Sequence, residues 1–446
     1  MTDGASRPGW PMDRDRTLAA GLSFLAATIA LVVGVEVFPY LSINHDEAVY
    51  LQQAALLADG KLLLRPPVPD AFRPWFFVRD GAAFYPKYSP VPAAAFAVGQ
   101  LLGSARLALA GLAAAATWLT YAVVAEAFDR RRGLLAAAFV VASPLFLIQS
   151  AVFLPYLPTT VLNLSFALGY LRAERRGSRA WAAVAGAAIG LAFFARPYTA
   201  VLFAAPFVVH ALWTLRHRDR RALHRYGVTA SLGTLGVLVA LAYNAAVTGS
   251  PFLFPYQAFA PLDGLGFGRR AIHGYSVDYT PWLALRANAE VIWTLLARWV
   301  AAGPLGTGLA ALGLGLFLAR CRRSPRPADY RALLLAGVLV SVTVGNVYFW
   351  GNLNVLGRLA VPGDGLVAFL GPYYHFDLLL PVAAFAAHGA VDAARRVRAV
   401  TTARLPDDRA RPVLLSALVL SAAVLGGAAV TMAAPAVQHD REATAA

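Results

Sequence analysis

Apolar runs of roughly 17 to 25 residues, each long enough to cross about 30 Å of hydrocarbon as a helix, recur along almost the whole of this sequence. No soluble core could bury them all. Hydrophobic residues make up 59% of the 446 and charged residues 14%, so most of these side chains must face lipid. The first run, Thr17 to Tyr40, follows an arm carrying Arg7, Arg14 and Arg16 and begins as a signal peptide would. It continues through Val35, Glu36, Val37, Phe38 and Pro39 without a small-residue cleavage site, which reads as an uncleaved signal anchor. Further spans are expected at 105–127, 133–150, 158–171, 180–195, 198–214, 227–247, 297–319, 332–350, 369–390 and 412–433. The predicted fold is an all-α polytopic membrane protein of about eleven transmembrane helices. It comprises a cytoplasmic arm over 1–16, a single bundle over 17–434 and a disordered tail over 435–446. The single cysteine, Cys321, excludes an intrachain disulfide.

Arginines supply the orientation. The amino-terminal arm and the turns at Arg130–Arg132, Arg172–Arg179, Arg216–Arg225, Arg320–Arg331 and Arg395–Arg411 hold 26 of the 39 Lys and Arg residues, always on one side of the bundle as threaded. The positive-inside bias makes that side cytoplasmic, in the cell membrane. The same distribution argues against nucleic-acid binding despite a net charge of +15, because the basic residues cap apolar helices instead of lining one face. They suit contact with membrane lipid headgroups.

Three extracytoplasmic segments remain, 41–104, 248–296 and 351–368, and they concentrate acids, histidines, tyrosines and prolines that lipid does not require. The first opens on Asn44-His45-Asp46-Glu47, two adjacent carboxylates at the membrane surface. Asp46 could simply act as N-cap of a helix over Glu47–Ala58. The segment continues through Trp75 and Phe76, expected at headgroup depth, to Tyr85-Pro86-Lys87-Tyr88-Ser89-Pro90-Val91-Pro92. Val91 to Leu102 is too short to span and is expected to lie as a surface helix over the bundle. Lys61 and Lys87 are the only lysines, and Lys87 could either reach a bound anion or snorkel to headgroups. Arg196, in Phe194-Ala195-Arg196-Pro197-Tyr198, sits at an extracytoplasmic helix end where the arginine bias would not place it. It could serve a ligand or pair with Glu36.

An acidic pair after the first span, a helix, a basic and proline-containing stretch, Ser143-Pro144 and the Arg196-Pro197 junction together resemble the polyprenyl-phosphate-sugar-dependent membrane glycosyltransferases of the GT-C fold, which include protein O-mannosyltransferases and aminoarabinose transferases. The resemblance covers about residues 15 to 215. It implies juxtamembrane helices in the extracytoplasmic loops and inverting transfer of a hexosyl or pentosyl group from a polyprenyl-phosphate-linked sugar. The acceptor would be a hydroxyl of a glycolipid, an envelope polysaccharide or a protein. It makes Asp46 the general base, with Glu47 beside it as a second catalytic residue, and Lys87 and Arg196 the cations that receive the donor phosphate.

The later segments add fewer assignments. Gly264, Gly266 and Gly268 fit no phosphate-loop pattern and suggest an ordered lid. His273 and Asp278 could join Glu47 around a divalent cation, a cofactor that no diagnostic spacing requires. His375 and Asp377 fall at the mouth of the tenth span, and His375 is assigned as a further phosphate contact. Two other readings stay open: a lipid-linked-sugar flippase or transporter, and a non-catalytic partner in envelope assembly. Neither an internal repeat nor charge at the span centres supports the first.

Overall fold

The computed structural model describes residues 14–216, 220–272, 274–359 and 364–404, with 427 and 438 singly. The expected eleventh span at 412–433, the tail over 435–446, most of the amino-terminal arm and His273 lie outside the described residues. The chain opens with α1 (Arg14–Glu36), α2 (Asp46–Ala58), a hairpin of β1 (Phe77–Asp80) and β2 (Ala83–Pro86), and α3 (Pro90–Leu101). A helical series follows: α4 (Ala105–Ala127), α5 (Arg130–Val141), α6 (Pro144–Gln149), α7 (Tyr156–Arg176), α8 (Arg179–Ala195), α9 (Pro197–Leu215) and α10 (Arg220–Thr248). After α11 (Pro255–Phe259) comes a second hairpin, β3 (Gly268–Ile272) with β4 (Tyr275–Tyr279), then α12 (Pro281–Thr294). The chain ends in α13 (Pro304–Arg323), α14 (Tyr330–Gly345), α15 (Gly351–Leu356), α16 (Val367–Leu370) and α17 (Leu379–Arg404).

The polytopic helical class holds, with two small hairpins added to the connecting segments. Seven helical segments among the described residues are long and apolar enough to cross a membrane. Three expected spans fall short for identifiable reasons. Span 133–150 breaks into α5 and α6 because Pro144 has no N–H to continue the ladder, and the Ser143 hydroxyl donates back to Phe139 O (2.7 Å) at the break. Helix α7 ends in Arg172, Glu174, Arg175 and Arg176, and α8 is only 17 residues long. The expected start at 297 also moves, since α13 begins at Pro304 after a turn in which Gly303 takes φ 49°.

Packing relies on small residues, as it must where lipid is as apolar as the helix surface. Gly190 of α8 and Gly236 of α10 meet so closely that a Cβ on Gly236 would lie 2.3 Å from Gly190 Cα. Gly186, one turn earlier on α8, faces Thr229 in the same way. Gly313 of α13 and Gly389 of α17 make the equivalent approach, a Cβ on Gly313 falling 2.0 Å from Phe385 O.

Ion pairs gather the basic turns at one end of the bundle. Glu126 on α4 pairs with Arg172 (3.0 Å) and Arg175 (2.8 Å) on α7, Glu174 on α7 with Arg225 on α10 (3.2 Å), and Asp392 on α17 with Arg132 on α5 (3.2 Å). The opposite helix ends, including the start of α7, the α8–α9 junction and the ends of α10 and α14, converge with α2, with Phe76 and Lys87 flanking the first hairpin, and with Ile272 of β3. Helix α3 packs on α2 and α4 with Phe96 buried, leaving Val98, Leu101 and Leu102 exposed.

Candidate active site

The acidic pair is split by the phase of α2. Glu47 is 1% exposed and accepts from Ser42 N (2.8 Å), the Ser42 hydroxyl and Phe153 N (2.7 Å), tying the entry turn to the segment before α7. Its two oxygens are therefore committed to structure and it is absent from the cavity wall, which corrects its assignment as a catalytic residue. Asp46 is not the N-cap that the sequence allowed. His45 holds that position without a side-chain bond, and Asn44 Oδ1 already accepts from Asp46 N (3.0 Å), so the Asp46 carboxylate is turned elsewhere.

It is turned toward Lys87. The β1–β2 hairpin returns the chain so that Lys87 N donates to Phe76 O (3.2 Å), with Phe76 itself at φ 59°, an unusual conformation for a bulky residue. The Lys87 side chain is 3% exposed, which excludes the snorkelling alternative. Its Nζ lies 3.3 Å from Asp46 Oδ1 and 3.5 Å from the centroid of the Phe76 ring, with Tyr88, Phe259 and Tyr256 at 4.7, 5.0 and 5.2 Å. Phe76 is thus a wall of this box, not a headgroup anchor, whereas Trp75 is exposed. Burial pushes the Lys87 ammonium below the usual lysine range, and the Asp46 carboxylate, then Asp263, opposes that shift.

Arg196 caps α8 and precedes Pro197 of α9, an extended junction (φ −151°, ψ 89°) that the proline enforces. Its guanidinium carbon sits 4.5 Å from the Tyr156 ring centroid and 5.7 Å from that of Tyr374, and Nε donates to Thr199 Oγ1 (3.4 Å). Glu36 is exposed at the end of α1, and no ion pair among the described residues joins it to Arg196.

Asp46, Lys87 and Arg196 line one cavity of about 570 Å³. Tyrosines dominate its wall, among them Tyr50, Tyr88, Tyr156, Tyr256, Tyr373 and Tyr374. His375 is not in that wall, which corrects its assignment as a phosphate contact. The tight turn Tyr373–Leu378 presents its two tyrosines to the cavity and turns His375 inward, fully buried, where Nε2 meets Asn288 Oδ1 at 3.1 Å. Asp377 is likewise interior, bonded by Thr160 Oγ1 (2.5 Å) and Asn163 Nδ2 (2.9 Å).

The cavity also contains an acid that sequence reasoning passed over. Asp263 is 6% exposed and accepts from the Tyr256 hydroxyl and from Trp350 Nε1 (2.6 Å). Burial raises its carboxyl above the usual range, opposed by those two donors and by Lys87. Its only sequence signal was an isolated acid in a glycine-rich run, and neither partner is at a diagnostic spacing.

The divalent-cation alternative loses two of its three ligands. Glu47 is occupied as described and Asp278 is exposed on β4, while His273 lies outside the described residues. Among the described residues no three His, Cys, Asp or Glu side chains converge as metal ligands.

Residues 91–255 match the dolichyl-phosphate-mannose-protein mannosyltransferase family. The fold is similar to that of the archaeal oligosaccharyltransferase AglB from Archaeoglobus fulgidus, in complex with an inhibitory peptide and a dolichol-phosphate, with 14% identity and a TM-score of 0.57. That match covers 95% of this chain and 56% of the archaeal one, so the chain spans little more than half of that protein's length. ArnT from Cupriavidus metallidurans bound to undecaprenyl phosphate is similar at 14% identity and a TM-score of 0.52, over 95% of this chain and 74% of that one. No curated protein sequence matches the chain.

Proposed function

We propose that this chain, a multi-pass membrane protein built on the GT-C fold, transfers a sugar from a polyprenyl-phosphate-linked donor to a hydroxyl of an envelope acceptor on the extracytoplasmic face. The observation that carries the reading is the convergence of Asp46, Lys87 and Arg196 on one tyrosine-walled cavity at the end of the bundle opposite the arginine turns. Both structural relatives hold a polyprenyl phosphate, and the cavity here offers two cations for a phosphate, the buried Lys87 and the half-buried Arg196. The arginine bias supports the sidedness, with the amino terminus cytoplasmic.

In the proposed reaction the acceptor hydroxyl gives its proton to Asp46 while its oxygen bonds the anomeric carbon. The carbon–oxygen bond to phosphate breaks and its electron pair leaves with the lipid phosphate. Single displacement inverts the anomeric centre. The phosphodiester carries one negative charge and the departing monoester gains a second, so cations already fixed at the phosphate favour the transition state more than the ground state. Lys87 and Arg196 are those cations. Glu47 positions Asp46 through its bonds to Ser42 and Phe153 and does not touch the reacting atoms.

Binding of a polyprenyl-phosphate sugar to the protein in lipid nanodiscs tests this reading. The expected result is binding by wild type, weaker binding by Lys87→Ala, and retained binding with strongly reduced transfer by Asp46→Asn. Absence of binding to every polyprenyl-phosphate compound would overturn it in favour of a transporter or a non-catalytic assembly partner.

A further inference from the structure

Asp263 has no place in the reaction just described, yet the fold spends several contacts holding it at the cavity wall. Tyr256, from α11, and Trp350, from the turn after α14, each donate to one of its oxygens. A carboxylate offers about four acceptor positions. These two bonds fill half of them, and the side chain still contributes to the cavity lining although it is nearly buried. Its free acceptor capacity is thus held open to whatever fills the cavity.

Tyr256 also fixes the distance from the cation site. Its ring lies 5.2 Å from Lys87 Nζ while its hydroxyl donates to Asp263. At most one phenol side chain therefore separates the ammonium from the second carboxylate. A single bound sugar ring can therefore reach both groups at once. The surrounding wall is aromatic, and rings of this kind stack on the C–H face of a sugar while a carboxylate accepts from its hydroxyls.

We infer that Asp263 is the acceptor that binds the distal hydroxyls of the donor sugar, and that it selects a sugar without a carboxylate. This rests on the proposed function and extends it to the sugar itself. Among the described residues Asp46 and Asp263 are the acids in the cavity wall, and beside them and the donor phosphodiester an anionic sugar would add a further negative charge to a poorly hydrated space. A uronic acid is disfavoured on that ground, and a neutral, hydroxyl-rich sugar is favoured.

The test compares three ligands in nanodiscs: bare polyprenyl phosphate, a polyprenyl-phosphate hexose and the matching uronic acid. Asp263→Asn is expected to weaken hexose-lipid binding about tenfold, as the loss of a polar contact to a hydroxyl does, and to leave bare polyprenyl phosphate unchanged. It should also narrow the preference for hexose over uronic acid. Asp263→Glu, which keeps the charge and both acceptor oxygens, should restore part of the hexose affinity. Equal loss for the bare lipid and the hexose lipid, with an unchanged preference, would mean that Asp263 only holds the loop and would overturn the inference. An unchanged hexose affinity would overturn it too. Failure of wild type to bind even bare polyprenyl phosphate is a different result, since it removes the proposed function itself. Thermal unfolding of each variant separates binding loss from misfolding.

Discussion

Lys87 Nζ lies 3.3 Å from Asp46 Oδ1 inside a box of four aromatic rings, although the two residues are 41 positions apart and the lysine is 3% exposed. Such a pair is held by its surroundings, because a buried ammonium without its carboxylate would carry an uncompensated desolvation cost. It joins the proposed base to a proposed phosphate ligand, so each side chain can be removed with a distinct result.

Asp46→Asn keeps the side-chain shape and removes the proton acceptor. The expected effect is a fall in transfer rate of about 10²- to 10⁴-fold with donor binding retained. A radiolabelled-sugar transfer assay beside a binding isotherm reads both, and transfer near the wild-type rate would exclude Asp46 as the base.

Glu47→Ala should behave as a folding defect. It strands two backbone N–H groups and the Ser42 hydroxyl, at a cost of about 1–3 kcal/mol for each buried donor left unpaired. Scanning calorimetry should show a lowered unfolding temperature, whereas the fraction that remains folded should bind donor normally. A loss of transfer at unchanged stability would instead give Glu47 a part in the chemistry.

The Lys87 ammonium titrates below the ordinary 10.5 because burial disfavours its charge. Between the lowered value and 10.5 the unfolded chain binds more protons than the folded one, so this group makes stability rise with pH in that window. Donor binding runs the other way: it needs the charged form, so it should hold at lower pH and weaken as pH rises through the lowered value, before 10.5 is reached. Lys87→Arg keeps its charge and should hold affinity through the same range. A wild-type affinity that stays flat to pH 10.5 would contradict the role given to Lys87.

Asp263 gives the acidic counterpart. Its pKa is raised from 3.8, chiefly by burial, so the folded chain holds a proton that the unfolded chain has released. Stability contributed by this group is full below pH 3.8 and falls as pH rises toward the raised value, after which it is constant. The difference in unfolding temperature between wild type and Asp263→Asn should change across that interval only.

Gly236→Ala and Gly111→Ala separate close helix packing from helix propensity. A Cβ on Gly236 meets Gly190 Cα at 2.3 Å and should destabilise the α8–α10 contact by about 1–3 kcal/mol. At Gly111, nothing lies within 4 Å of the added Cβ, and alanine should stabilise α4 by about 0.5–1 kcal/mol. Unfolding temperatures of the two variants should move in opposite directions.

The solvent, the helical class and the segments in which chemistry could reside were all legible in the order of residues alone. Those properties follow from how much apolar surface each run carries and where arginines interrupt it, quantities that accumulate along the chain without reference to contacts. Asp46, Lys87 and Arg196 were legible because each broke a local rule: charge at a membrane surface, a lysine in an arginine-using chain, an arginine against the charge bias. Tertiary structure alone decided which way neighbouring side chains point. One residue of helix phase separates Asp46 in the cavity from Glu47 in a backbone knot, and one tight turn sends Tyr374 into the wall and His375 into the interior. Asp263 belongs to the site only because Tyr256 and Trp350, brought from separate segments, hold it there. Side-chain direction depends on how loops close and helices pack, and such long-range contacts leave no periodic trace in a single sequence.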